Sequence, residues 1–112
     1  EVFCEGGRIF VPLVSKGCIS TITLHCGEKD INGSDHDLSA FGCDMDQWHR
    51  IKIISQNQIL SIYLDEELIY TLSYERKMGN VVGLNFAFNG CGSFKDVSLQ
   101  RSNGELVYKY PD

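Results

Sequence analysis

The chain has 112 residues, 43% of them hydrophobic and 22% charged, which suits one soluble domain, residues 1–112, and leaves little mass for a second. Its formal charge of -5, with ten Lys and Arg scattered rather than striped, would repel a phosphate backbone and so excludes nucleic acid as a partner. No run approaches the ~20 apolar residues of a membrane span, so no span lies within this segment.

Period-two alternation dominates and no helical period persists. Taken in chain order, the alternation predicts strands over residues 8–14, 18–26, 48–55, 58–65, 67–74, 81–89, 92–99 and 105–110, and the opening "EVFCEGG" itself reads as the middle of a strand. Pro12 marks an edge or bulge in the first of the eight. Cys18 and Cys26 share parity with Ile22 and Leu24, which places both thiols on a buried face, with a disulfide as the alternative. Five cysteines are an odd number, and no C-x-x-C pair occurs, which argues against a zinc knuckle or a thioredoxin-like redox centre. His25 alternates with core positions and is expected to face outward.

Residues 28–37 read as an exposed acidic loop turning at Asn32-Gly33. Asp30, Asn32 and Ser34 begin like an EF-hand, but the sixth position is Asp35 rather than Gly and the twelfth is Phe41 rather than Glu. A looser calcium site from Asp30, Asn32, Asp35 and Asp37 stays open beside the expectation of no cofactor. The sequon Asn32-Gly33-Ser34 is a chance match unless the chain is secreted by a eukaryote.

Asp44 and Asp46 have the i, i+2 spacing of glucanase acids, but Trp48 stands where a third would follow. They are expected to lead structurally into the Trp48 strand, with His49 opposite Trp48. Cys43 with His36 or His49, or Cys91 in "NGCGS", has no strand-turn-helix elbow to expose a nucleophile.

In "QILSIYLD" the inward set is Leu60, Ile62 and Leu64, opposite Ile59, Ser61 and Tyr63. In "VVGLNFAF" it is Val82, Leu84, Phe86 and Phe88, opposite Asn85. Trp48, Leu60, Ile62, Leu64, Leu84, Phe86, Phe88 and Leu99 are the expected core, joined by Tyr70 and Tyr74. Asn89-Gly90, Asn103-Gly104, the stretch 77–80 and the weaker Asp65-Glu66-Glu67 supply the turns. Short strands separated by such turns predict an all-β antiparallel sandwich or barrel. Tyr63 and Asn85, outward on their strands, are the candidate ligand-binding residues of a shallow saccharide patch, against the plainer reading of a solvated face.

Over residues 36–110 the order "WHRIKII", "ILSIYLDEELIY", "VVGLNFAFNGCGSFKDVSL" resembles the second half of a concanavalin A-like (laminin G-like) domain, the match being carried by Trp48, Tyr63, Asp65, Leu68, Gly92, Phe94, Asp96, Val97 and Leu99. More narrowly, "PL-x-x-x-GC" (Pro12, Leu13, Gly17, Cys18) and "DLSxFGxDxxxW" (Asp37 to Trp48) are similar to uncharacterised envelope-associated domains of Gram-negative gut bacteria. The resemblance implies a two-sheet jelly-roll sandwich with an N-terminal portion removed or lost. It also implies an extracytoplasmic location and a non-catalytic binding or structural role toward a glycan or another envelope protein. A glycoside hydrolase of the same fold and a protein-interaction domain without glycan affinity are the alternatives.

Overall fold

The computed structural model describes residues 1–15, 17–88, 92–101 and 103–111. The chain is all-β, with short 3-10 turns at Ile19–Thr21 and Ser39–Phe41. In chain order the strands are β1 Val2–Cys4, β2 Gly7–Phe10, β3 Val14–Ser15, β4 Thr23–Cys26, β5 Lys29–Asn32, β6 Gly42–Cys43, β7 Ile51–Gln56, β8 Ile59–Leu64, β9 Glu67–Ser73, β10 Val81–Leu84, β11 Val97–Gln100 and β12 Leu106–Tyr110. They form a five-stranded sheet ordered β10-β1-β2-β4-β5, a three-stranded meander β7-β8-β9, the hairpin β11-β12 and the short pair β3-β6. Among the described residues all pairings are antiparallel except β3 with β6. Among the described residues no helix is long and apolar enough to cross a membrane.

One core cluster draws on both larger sheets. Ile9, Leu24 and Cys26 come from the five-stranded sheet, Leu60 and Ile62 from the meander, and Leu38, Phe41, Tyr74 and Met78 from the connections. Strand alternation explains the choice, since Leu60, Ile62 and Leu64 are buried while Ile59, Ser61 and Tyr63 are not. The tip of the β4-β5 hairpin also straps the sheets together. Lys29 Nζ donates to the Ser73 carbonyl at 2.6 Å, and Glu28 Oε1 accepts the Glu75 and Arg76 N–H groups at 3.2 and 3.4 Å.

The meander turns without glycine. Asn57-Gln58 and Asp65-Glu66 are two-residue connections whose four residues all have positive φ, the type I′ signature that matches strand twist. Asn32-Gly33 is a turn for a different reason from the one its composition suggests. Gly33 does not have positive φ; its N–H donates to the Ile22 carbonyl at 2.8 Å, and a Cβ there would lie 2.0 Å from the Ile19 carbonyl oxygen. Only the absent side chain lets the two backbones touch.

Several expectations are corrected. Residues 28–37 are not one loop: Gly27, at φ 60, turns β4 into β5, and residues 29–32 pair with it. Cys18 is exposed, because the Thr21 hydroxyl donates to its carbonyl at 2.7 Å and holds a 3-10 turn where a strand was expected. Trp48 is 61% exposed because its strand begins only at Ile51. Of the set expected inward in residues 81–88, Val82 is 67% exposed within β10, where the register against β1 shifts past it, and Phe86 and Phe88, beyond the end of β10 at Leu84, are 44% and 46% exposed. Leu84 and Leu99 are half-buried. The expected turn at Asn89-Gly90, the end of the strand expected over 81–89, and Cys91 lie outside the described residues.

Candidate functional site

On β2, Arg8 and Phe10 flank buried Ile9; on β4, Thr23 and His25 flank buried Leu24. Alternation therefore sends all four to the outward face of the five-stranded sheet. Register then sets them side by side, with Phe10 opposite His25 and His25 opposite Asp30 of β5. Extending the Val2-Ile9 pairing by one residue brings Glu1 beside Phe10. Arg8, Phe10, Thr21, Thr23, His25 and Asp30 line one shallow depression of about 330 Å³.

Its polar groups are held in place by one another. His25 Nδ1 contacts Asp30 Oδ1. The Thr23 hydroxyl donates to Asn32 Oδ1 at 2.8 Å. Arg8 Nη1 donates to Glu1 Oε2 at 2.5 Å, and Asn85 Nδ2 donates to Glu1 Oε1 at 3.4 Å. The Arg8 guanidinium, with help from Asn85, holds the Glu1 carboxyl below the usual carboxylate range. The surface thus offers a half-buried aromatic ring among hydroxyl, amide, imidazole and charged groups. A second depression, about 400 Å³, runs along β9 at Leu68, Ile69, Tyr70 and Thr71, where a single strand supplies every wall and no set of polar side chains converges.

Of the residues singled out by sequence, Asp30, Asn32 and Asn85 come onto this one face. Tyr63 does not. It lies on the meander, opposite Lys52, whose ammonium sits 5.9 Å from the ring centroid. The expected patch joining Tyr63 to Asn85 is therefore divided between two sheets. Each of the four proposed calcium ligands has its own place. Asp30 faces His25, Asn32 is bonded to Thr23, Asp35 sits in the turn after β5, and Asp37 Oδ1 accepts the Ser39 N–H at 3.0 Å. Ser39 holds the Asp37 carboxyl below its ordinary pKa. Among the described residues no three His, Cys, Asp or Glu side chains gather around one point that could hold a metal.

Arg8, Phe10, Thr21 and Thr23 were missed by sequence reasoning. The signal was present as alternation in "GRIF" and "TLHC", but their convergence needs the β2-β4 pairing, across a connection of a dozen residues.

A second exposed surface gathers the misassigned aromatics. Phe86 stacks on Phe94 with centroids 4.1 Å apart, Phe94 tilts against Tyr110 at 5.6 Å, and Lys95 Nζ stands 4.3 Å from the Trp48 centroid. Beside Trp48, His49 Nδ1 meets Asp65 Oδ2 at 2.7 Å, and its Nε2 meets the Asp44 carbonyl at 2.6 Å. Asp44 Oδ1 itself accepts the Asp46 N–H at 3.0 Å. No family model, curated protein or solved structure matches the chain.

Proposed function

We propose that the chain is a non-catalytic binding module of a larger extracytoplasmic envelope protein, built as a two-sheet concanavalin A-like sandwich. In this reading the outward face of the five-stranded sheet takes an uncharged oligosaccharide. The observation that carries it is the row Phe10–His25–Asp30, flanked by Thr21, Thr23 and Arg8, around one depression. Sugars present apolar C–H faces and hydroxyl edges, which an aromatic ring ringed by donors and acceptors complements. The sandwich is supported by one core fed from both larger sheets, and the jelly-roll type and the location by the sequence resemblance alone.

Catalysis is disfavoured by spacing. Glu1 and Asp30 are three strand steps apart on the face, about 14 Å, whereas glycosidase carboxylates stand about 5–9.5 Å apart. Each is also tied to a basic partner, Arg8 or His25. A resident calcium ion is disfavoured by the separate engagements of Asp30, Asn32 and Asp37.

A glycan array followed by calorimetry tests the reading. Phe10→Ala should weaken binding at least about tenfold, the loss of one stacking contact of ~1.5 kcal/mol, while Tyr63→Ala leaves it unchanged. An empty array, or a ligand lost with Tyr63→Ala and kept with Phe10→Ala, would overturn it. The stacked Phe86, Phe94 and Tyr110 favour the second reading, a protein-interaction module without glycan affinity, which an empty array would advance.

A further inference from the structure

The chain's single tryptophan, Trp48, directly precedes His49. His49 reaches in two directions, Nδ1 to Asp65 Oδ2 and Nε2 to the Asp44 carbonyl, at 2.7 and 2.6 Å. Both partners are acceptors that carry no proton to give. A neutral imidazole has one N–H and satisfies one of them; only the imidazolium donates to both.

Each acceptor is fixed independently. Asp65 occupies the β8-β9 turn, where its Oδ1 accepts the Arg50 N–H and its own N–H donates to the Arg50 carbonyl, both at 2.8 Å. Asp44 opens a turn in which its carbonyl also accepts the Gln47 N–H at 3.3 Å. Between these anchors lies Trp48, 61% exposed, with Lys95 over its ring. The charged groups around the imidazole are the Asp65 and Asp44 carboxylates, with Arg50 next in the chain and Lys95 beyond Trp48.

We propose that the His49 imidazolium is a proton-dependent latch that ties the Trp48 loop, residues 44–48, to the β8-β9 turn and releases it on deprotonation. The latch stands apart from the saccharide reading, since it lies on the meander side of the molecule. Asp65 first, and then the Asp44 carbonyl, raise the His49 pKa above its ordinary value, while His49 and the Arg50 N–H lower that of Asp65. The sign follows from that direction. A raised folded-state pKa makes the latch complete below the unfolded value of ~6.5 and loses it as pH climbs through the folded one.

The test follows His49 by the NMR shift of its ring protons, and Trp48 by time-resolved fluorescence anisotropy, from about pH 5 to about pH 9. The latch requires one midpoint for both signals, above ~6.5, with Trp48 gaining rapid local motion on the alkaline side. His49→Gln should leave Trp48 mobile at every pH with the far-ultraviolet spectrum unchanged. Asp65→Asn should lower the midpoint, and His25→Gln should leave it in place. A His49 midpoint at or below the denatured-chain value, an anisotropy flat across the range, or a Trp48 transition surviving in His49→Gln would overturn the proposal. If His49→Gln fails to fold, coincidence of the two wild-type midpoints still decides.

Discussion

Two phenylalanines with opposite credentials test the fold most sharply. Phe86 alternates with strand positions and looks internal by pattern; Phe41 lies in an irregular connection and carries no periodic signal. The structure inverts them, since Phe41 is 0% exposed and packs against Tyr70 at 5.9 Å, whereas Phe86 is 44% exposed. Truncating Phe41 to Ala removes a fully buried ring and leaves a void that neighbours from both sheets must collapse around, costing about 3–5 kcal/mol. Truncating Phe86 forfeits roughly half of the ~1.5–3 kcal/mol of a buried ring and leaves no void, because water fills the space, so about 1–1.5 kcal/mol is expected. With a urea slope near ~1.5 kcal/mol/M, the midpoint should fall by about 2–3 M for Phe41→Ala and by less than about 1 M for Phe86→Ala. Should Phe41→Ala prove unfolded throughout, Phe41→Leu is measured instead, with a loss of about 1.5 kcal/mol. Equal losses, or a larger one at Phe86, would refute the burial assignment and restore the strand reading of residues 85–88.

Three further outcomes follow from the same packing. Burial first, and then the nearby Glu28 carboxylate, push the Cys26 thiol up to about 11, so at mildly alkaline pH a thiol reagent should label Cys18 rapidly and Cys26 only on unfolding, as peptide mapping will read. Glu66→Gly should stabilise the β8-β9 turn by up to about 1 kcal/mol, since glycine relieves the positive φ of 71° there, and a lower melting temperature would count against the I′ assignment. Gly33→Ala should cost about 1–3 kcal/mol in denaturant melts, because its Cβ meets the Ile19 carbonyl oxygen; a neutral result would show that the two segments are not in contact.

Much of the strand content was legible because pleating is a local property. A residue's face follows from its neighbours two positions away, so Leu60, Ile62 and Leu64 read correctly as inward, and His25 as outward, without knowledge of any partner strand. Asn103-Gly104 was equally local, with Gly104 at φ 89. Where a strand stops is less local. Alternation continued on paper through Phe86 and Phe88, but β10 ends at Leu84 and its backbone bonds toward the first strand stop with the Asn85–Glu1 pair, which nothing within residues 86–88 announces. Trp48 misled for the same reason, as an aromatic of strand-like composition outside its strand.

The candidate site was hidden more deeply. Asp30, Asn32 and Asn85 were each noticed as polar residues, yet what unites them is strand order, β10-β1-β2-β4-β5, in which the first strand along the row is the last of the five in the chain. Sequence determined that this chain would build sheets with one apolar and one polar face, because alternation and turn residues act over a few positions. Tertiary structure alone decided which strands lie side by side, and hence that Arg8, Phe10, His25 and Asp30 share a surface while Tyr63 stands on another sheet. Strand order is chosen by which apolar faces close over one another, and that choice is a property of the whole core rather than of any segment.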